Sequence, residues 1–261
     1  MKREPEYATG APRRAAVLEV RRPGTGAFVL RFSRDNLEFA PGQYVSVGVP
    51  ESIDMREYSV YSTPEDEHLE ILVKEVQDGA ISPALGARRP GDQVTFRGPF
   101  GEFLIDPAAR ATGRFLFVAT GSGIAPFRSF VRAYPGLDYR LLHGVRSRAE
   151  PYEYDTYEAW PYTACISREP IDAGASSVGG PPSSAVRPPT SVGGAPSNAR
   201  SGSPVEEQLF QGRVTDYLRA NPADAEALCY LCGSCDMIYE VMAILRRQGV
   251  PREQVFAEVY Y

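Results

Sequence analysis

Cysteine is scarce in this chain, with four in 261 residues, too few for a disulfide scaffold and in keeping with a reducing compartment. Histidine is scarcer still. Only His68 and His143 occur, far apart in sequence, which leaves a histidine-based triad little support. No apolar run reaches membrane-spanning length, and the opening MKREPEYATGAPRR lacks the apolar core of a secretory signal, so a cytoplasmic location without a membrane span is expected. Positive charge is not in excess either. The formal net charge of −5 offers no general affinity for nucleic acid, although Arg13, Arg14, Arg21 and Arg22 form a local basic cluster. Also missing is the spaced glycine triplet of a dinucleotide fingerprint, which disfavours a conventional Rossmann dehydrogenase. The cysteine spacings of ferredoxins are absent too. Cys229, Cys232 and Cys235 lack a nearby fourth ligand, Cys165 being far away in sequence, so no metal site is expected.

What is present is an ordinary soluble composition, 43% apolar and 23% charged, long enough for two domains. Residues 14–107 read as short strands: RAAVLEVRR, AFVLRFSR, QYVSVGVP, REYSVYS, LEILVKEV, DQVTFRGP and EFLI. Turn signals such as PGTG, APGQ and RPGD separate them. Such spacing, with hardly any helical period, predicts an antiparallel β-barrel over 13–110. One break, QDGAISPALGARRPGD, predicts a short helix capped and opened by Ser82 and Pro83. From residue 111 to 261 buried-type strands (RFLFVAT, YRLLHGV, YTACISR, ALCYLCG) alternate with the helical patterns FRSFVRAY and DMIYEVMAILRRQG, which predicts a parallel-sheet α/β domain. Residues 1–12 read as a disordered tail. Residues 172–207, dominated by Gly, Pro, Ala, Ser and Val, read as a low-complexity insertion.

Three stretches carry the chemistry. In REYSVYSTP, Arg56 offers a fork suited to a pyrophosphate and Tyr58 a flat ring, although alternating Tyr and Ser is also ordinary strand composition. TGSGIAPF places Thr120, Gly121 and Gly123 between a buried strand and a helix, where backbone N–H groups can meet a diphosphate. CISRE puts Ser167 and Arg168 at a strand end, where with Arg213 they suit a phosphate monoester; either arginine alone is more often a surface residue. The final VFAEVYY sets Glu258, Tyr260 and Tyr261 at the chain end, an aromatic stack for a ring or a simple edge strand.

Taken in order, REYS, DGAISPAL, GPFGEF, ATGSGIAPF, CISRE, YLCGSCDM and EVYY resemble the motif series of ferredoxin–NADP reductases and their flavodoxin reductase relatives. The resemblance implies an FAD-binding barrel followed by an NADP-binding α/β domain, with both ligands meeting between them. By position it assigns Arg56, Tyr58, Gly79, Ile81 and Ser82 to FAD and Ser59 to the neighbourhood of the flavin N5. Thr120, Gly121 and Gly123 fall on the NADP(H) diphosphate, and Ser167, Arg168 and Arg213 on its 2′-phosphate. Cys232 and Glu258 flank the nicotinamide, and Tyr260, with Tyr261 competing for the role, covers the flavin. Implied with these is electron transfer between NADPH and a ferredoxin or flavodoxin. The reductase component of a multicomponent oxygenase is the alternative, and a nucleotide-binding regulator without turnover is a third reading.

Overall fold

Alternating burial builds the first lobe. The structure, a computed structural model, describes residues 11–150, 152, 162–170 and 208–260; most of the expected tail, the 172–207 insertion and Tyr261 lie outside the described residues. Six strands, β1 (Arg13–Gly24), β2 (Ala27–Ser33), β3 (Tyr44–Gly48), β4 (Met55–Ser59), β5 (His68–Lys74) and β6 (Gln93–Phe100), form an antiparallel sheet in the order β4-β3-β6-β1-β2-β5. The two edges then meet. Val60 bridges Ile71, and Tyr61 N–H donates to the Glu70 carbonyl at 2.7 Å, so the strand beyond β4 reaches β5 and closes the sheet into a barrel. Inside lie Val17, Phe28, Leu30, Phe32, Val45, Val47, Ile71 and Phe96. Helix α1 (Ile81–Gly86) lowers Ile81 and Leu85 into that same core.

Two local expectations are corrected here. EFLI is not a strand: residues 102–105 pair with no neighbour, because Phe103 and Ile105 leave the barrel for the core of the second lobe. Nor does Ser82 cap α1. The cap position is Ala80, and the Ser82 hydroxyl instead bonds the Val76 N–H (3.0 Å) and carbonyl (3.3 Å), tying the preceding turn.

The second lobe is a parallel sheet. Its strands are β7 (Arg114–Thr120), β8 (Asp138–Val145), β9 (Tyr162–Ile166), β10 (Gln208–Gln211), β11 (Leu228–Ser234) and β12 (Val255–Tyr260), ordered β10-β9-β8-β7-β11-β12. Between them run α2 (Ala125–Ala133), α3 (Val214–Ala220) and α4 (Cys235–Arg247). Period-two alternation along β7 feeds both faces. Phe115, Phe117 and Ala119 join an aromatic core with Phe127, Phe130 and Tyr230, while Leu116 and Val118 pack with Ile238, Val241 and Leu245 of α4. Because β8 and β11 lie on opposite sides of β7, the strand order reverses there, and open α/β sheets leave a ligand crevice at the carboxyl ends of such strands.

The lobes are locked together by polar as well as apolar contacts. Ala27, Val29, Tyr61 and Leu72 on the outer face of the barrel join the aromatic core of the second lobe. Around them, Glu70, 2% exposed, receives Arg21 (2.6 and 3.1 Å), Arg31 (2.7 and 2.8 Å) and, from α2, Arg128 at 3.3 Å. Arg128 also donates to the Tyr61 carbonyl at 2.8 Å, and Ser129 Oγ donates to the Ser62 carbonyl at 2.7 Å. One helix thus clamps the strand that continues from β4. Among the described residues no helix is long and apolar enough to cross a membrane.

Candidate active site where the lobes meet

β4 and β12 deliver the central cluster. Ser59 ends β4, while Cys232 of β11 stands in register with Glu258 of β12, and Ser234 with Tyr260. Ser59 Oγ donates to Glu258 Oε2 at 2.8 Å, and the Tyr260 hydroxyl donates to Ser59 Oγ while accepting from Ser59 N–H at 3.3 Å. The result is a chain of hydroxyls ending on a carboxylate. Burial pushes the Glu258 pKa up to about 7; the Ser59 hydrogen bond opposes that rise and the charge of Glu57 adds to it. Glu258 therefore holds or releases a proton near neutrality. The Cys232 thiol is fully buried and pushed well above its ordinary value, first by burial and then by the charge of Glu258, so it stays protonated. Tyr44, Glu57 and Gly101 complete this corner. Tyr44 is raised by burial and by its acidic neighbours Glu57 and Glu258, and Gly101, at φ +93°, lets the chain pass the Tyr44 ring, which a Cβ would approach to 2.9 Å.

The TGSGIAP turn sits at the end of β7. Thr120, in the capping position, does not cap: its hydroxyl accepts from Ser234 N–H at 3.0 Å, joining the ends of β7 and β11. A Cβ at Gly233 would lie 2.2 Å from that hydroxyl oxygen, and one at Gly123 only 2.4 Å from the Cys232 carbonyl. These two glycines are packing requirements. Gly121 differs, for it has φ +53° and nothing within 4 Å of its Cβ position. The turn offers uncapped N–H groups beside open space, which suits an anionic group approaching the backbone.

Arg56 and Tyr58 share one face of β4 by strand alternation, with Glu57 and Ser59 on the other. Arg56 is exposed, donates to the Met55 carbonyl at 2.8 Å, and pairs with no carboxylate among the described residues. The half-buried Tyr58 packs on the barrel core, and burial, slightly opposed by Arg56, pushes its hydroxyl up to about 12. Near α1 the side chains of Ile81 and Ser82 are spent inside the fold and the Gly79 N–H donates to the Val76 carbonyl at 3.0 Å, so what this segment can offer a ligand is the backbone N–H groups of Ile81 and Ser82. An unpaired guanidinium, a tyrosine ring on the same strand face and the N–H groups that open α1 form a donor set that fits a dinucleotide with a flat ring.

Ser167, Arg168 and Arg213 are all exposed and lie just beyond the adjacent ends of β9 and β10. Ser167 Oγ donates to the Val145 carbonyl at 3.1 Å, and Arg213 N–H donates to Asp216 Oδ2 at 3.0 Å, holding the two segments in place. Tyr261 lies outside the described residues. Three residues escaped the sequence reading. Glu57 and Tyr44 adjoin the Ser59 cluster with no spacing to reveal them, whereas Glu70 had a signal, a lone acid inside the apolar run LEILV.

Residues 24–105 match the family model of the oxidoreductase FAD-binding domain. The chain is 27% identical over 262 residues to the toluate 1,2-dioxygenase electron transfer component of Pseudomonas putida, covering 94% of this chain and 67% of that protein. It is 26% identical over 237 residues to the propane 2-monooxygenase reductase component of Mycolicibacterium goodii, covering 85% and 59% respectively. The chain thus spans about two thirds or less of the length of these curated relatives. Among solved structures, a ferredoxin NADP+ reductase from Neisseria gonorrhoeae with bound FAD and NADP superposes with a TM-score of 0.71 at 19% identity, covering 97% of this chain and all of the other.

Proposed function

We propose that this chain, which matches the oxidoreductase FAD-binding domain over residues 24–105 and shares the two-lobed fold of a ferredoxin NADP+ reductase, is a member of the ferredoxin–NADP reductase family that passes electrons from a nicotinamide nucleotide to a one-electron protein acceptor. One observation carries this reading: Ser59 from the barrel and Glu258 and Tyr260 from the α/β lobe are hydrogen-bonded into one cluster beside the Gly121 turn. Bound FAD supplies the conversion between two-electron and one-electron chemistry. Arg56 and the backbone N–H groups of Ile81 and Ser82 would hold its diphosphate, with Gly79 shaping the turn before them, and the Tyr58 ring would pack beside it. Ser59 orients the Glu258 carboxyl through Oε2, and that carboxyl takes up or gives up a proton near neutral pH. Tyr260 covers the site and keeps water from the Ser59 hydroxyl, while the neutral Cys232 thiol packs without adding charge. Thr120, Gly121 and Gly123 hold the diphosphate of NADP(H), and Ser167, Arg168 and Arg213 receive its 2′-phosphate.

The acceptor is a ferredoxin, a flavodoxin or an oxygenase component. The oxygenase reading is favoured by the curated relatives, which are electron transfer and reductase components of a dioxygenase and a monooxygenase. Reducing the protein with NADPH or NADH and then mixing it with each acceptor class tests this. Rapid reoxidation by one carrier protein and slow reoxidation by the others identifies the acceptor; indifference to every protein acceptor contradicts the reading.

A further inference from the structure

We propose that His143 is a positioning residue for nucleotide binding, locking the Gly121 peptide so that the N–H groups that follow it face the diphosphate. The inference rests on the reading of Thr120–Gly123 as the nucleotide turn. His143 lies in the middle of the parallel sheet, in register with Ala119 of β7 and Ala164 of β9, and is fully buried. A buried imidazole needs partners on both nitrogens. It has them: Nε2 is 2.8 Å from the Gly121 carbonyl and Nδ1 is 2.9 Å from the Tyr162 hydroxyl.

The partners fix the tautomer. A carbonyl only accepts, so Nε2 carries the hydrogen; Nδ1 then presents its lone pair, and the Tyr162 hydroxyl donates to it. Burial keeps the ring neutral, with its pKa pushed down to about 4 against the opposing effect of the Gly121 hydrogen bond.

Among the described residues no other side chain bonds the Gly121–Ser122 peptide, which opens the 3-10 turn Gly121–Ile124. Gly121 has no side chain, its φ of +53° is one of many a glycine can adopt, and the space around its Cβ position is empty. Thr120 is engaged with Ser234. Because a trans peptide is planar, a carbonyl drawn toward the ring sends the Ser122 N–H the opposite way. The strand that supplies the ring ends beside the same turn, so His143 fixes the Gly121 carbonyl and with it the direction of the Ser122 N–H, which lowers the ordering cost of binding an anion there.

The test uses the flavin-loaded full chain and calorimetric titration with the tighter of NADP+ and NAD+. His143→Leu is expected to weaken that dinucleotide by about five- to tenfold, the factor for one neutral hydrogen bond, with flavin content unchanged. His143→Gln is expected to restore most of the affinity, since its amide nitrogen can donate to Gly121 and its oxygen can accept from Tyr162. If His143→Leu does not fold, Tyr162→Phe carries the test, with an expected loss of about two- to threefold as the ring's orientation loosens. Wild-type affinity in the leucine variant overturns the proposal, and in its absence wild-type affinity in Tyr162→Phe does so. A parallel loss of flavin and dinucleotide, or no rescue by glutamine, overturns it as well. A wild-type protein that binds neither dinucleotide removes the nucleotide reading itself, a separate outcome.

Discussion

Ser59 of the barrel and Glu258 of the last strand of the α/β lobe are 199 residues apart, yet their side chains share a hydrogen bond of 2.8 Å. The contact exists only because the two lobes are locked, and α2 supplies the lock. Its Arg128 and Ser129 hold the carbonyls of Tyr61 and Ser62, two and three residues beyond Ser59, while its leading turn contains Gly121. One element therefore spans from the Gly121 turn to the strand that carries Ser59.

Ser59→Ala is expected to keep the fold and the flavin but to slow flavin reduction. A hydrogen bond to a charged group contributes about 1.5–3 kcal/mol, which corresponds to roughly 10- to 100-fold in rate. Stopped-flow reduction measures it directly. An unchanged rate removes Ser59 from the mechanism.

Glu258 sets a pH dependence of one sign. Its folded pKa of about 7 exceeds the ordinary carboxylate value of 4.5, so the folded state binds more protons between these values. Its contribution to stability is full below about pH 4.5 and is lost as pH rises through about 7. Urea denaturation at stepped pH values is expected to show this decline in the wild type and its disappearance in Glu258→Gln. Identical profiles contradict the assignment.

Glu70 behaves in the opposite sense. Burial alone would raise its pKa, but the Arg21 hydrogen bond and charge, with the charge of Arg128, hold it down at about 2. Its contribution is full above about pH 4.5 and is lost as pH falls toward 2. Glu70→Ala leaves the buried Arg128 without its carboxylate and is expected to cost about 3–5 kcal/mol. Arg128→Ala should cost less, because Glu70 keeps Arg21 and Arg31. Denaturation midpoints that rank the two variants the other way would refute this ordering.

The four thiols should differ in reactivity. Burial pushes Cys165 and Cys229 up to about 12 and Cys232 well above its ordinary value, whereas Cys235 is partly exposed at the start of α4. Alkylation of the native protein followed by peptide mass spectrometry is expected to mark Cys235 first. Early labelling of Cys232 would show that its pocket is open.

Much of the fold was legible because period-two alternation and turn residues agree along the barrel, and because RFLFVAT and YLCG read as strands buried on both faces. EFLI misled: its apolar pattern is real, but Phe103 and Ile105 serve the neighbouring lobe without a pairing partner. Ser82 misled for a related reason, since a serine one residue inside a helix can bond back to the preceding turn. The candidate site was legible only through the resemblance of its motifs. No spacing rule brings Ser59 to Glu258, and the environment of His143 depends on Tyr162 and Gly121 arriving from two other elements.

The most direct measurement is flavin binding followed by anaerobic titration with NADPH and NADH. The purified chain is expected to hold one FAD tightly, and its yellow colour to bleach stoichiometrically with one of the two nucleotides. A colourless protein that forms no tight complex on soaking with FAD contradicts the account at its base.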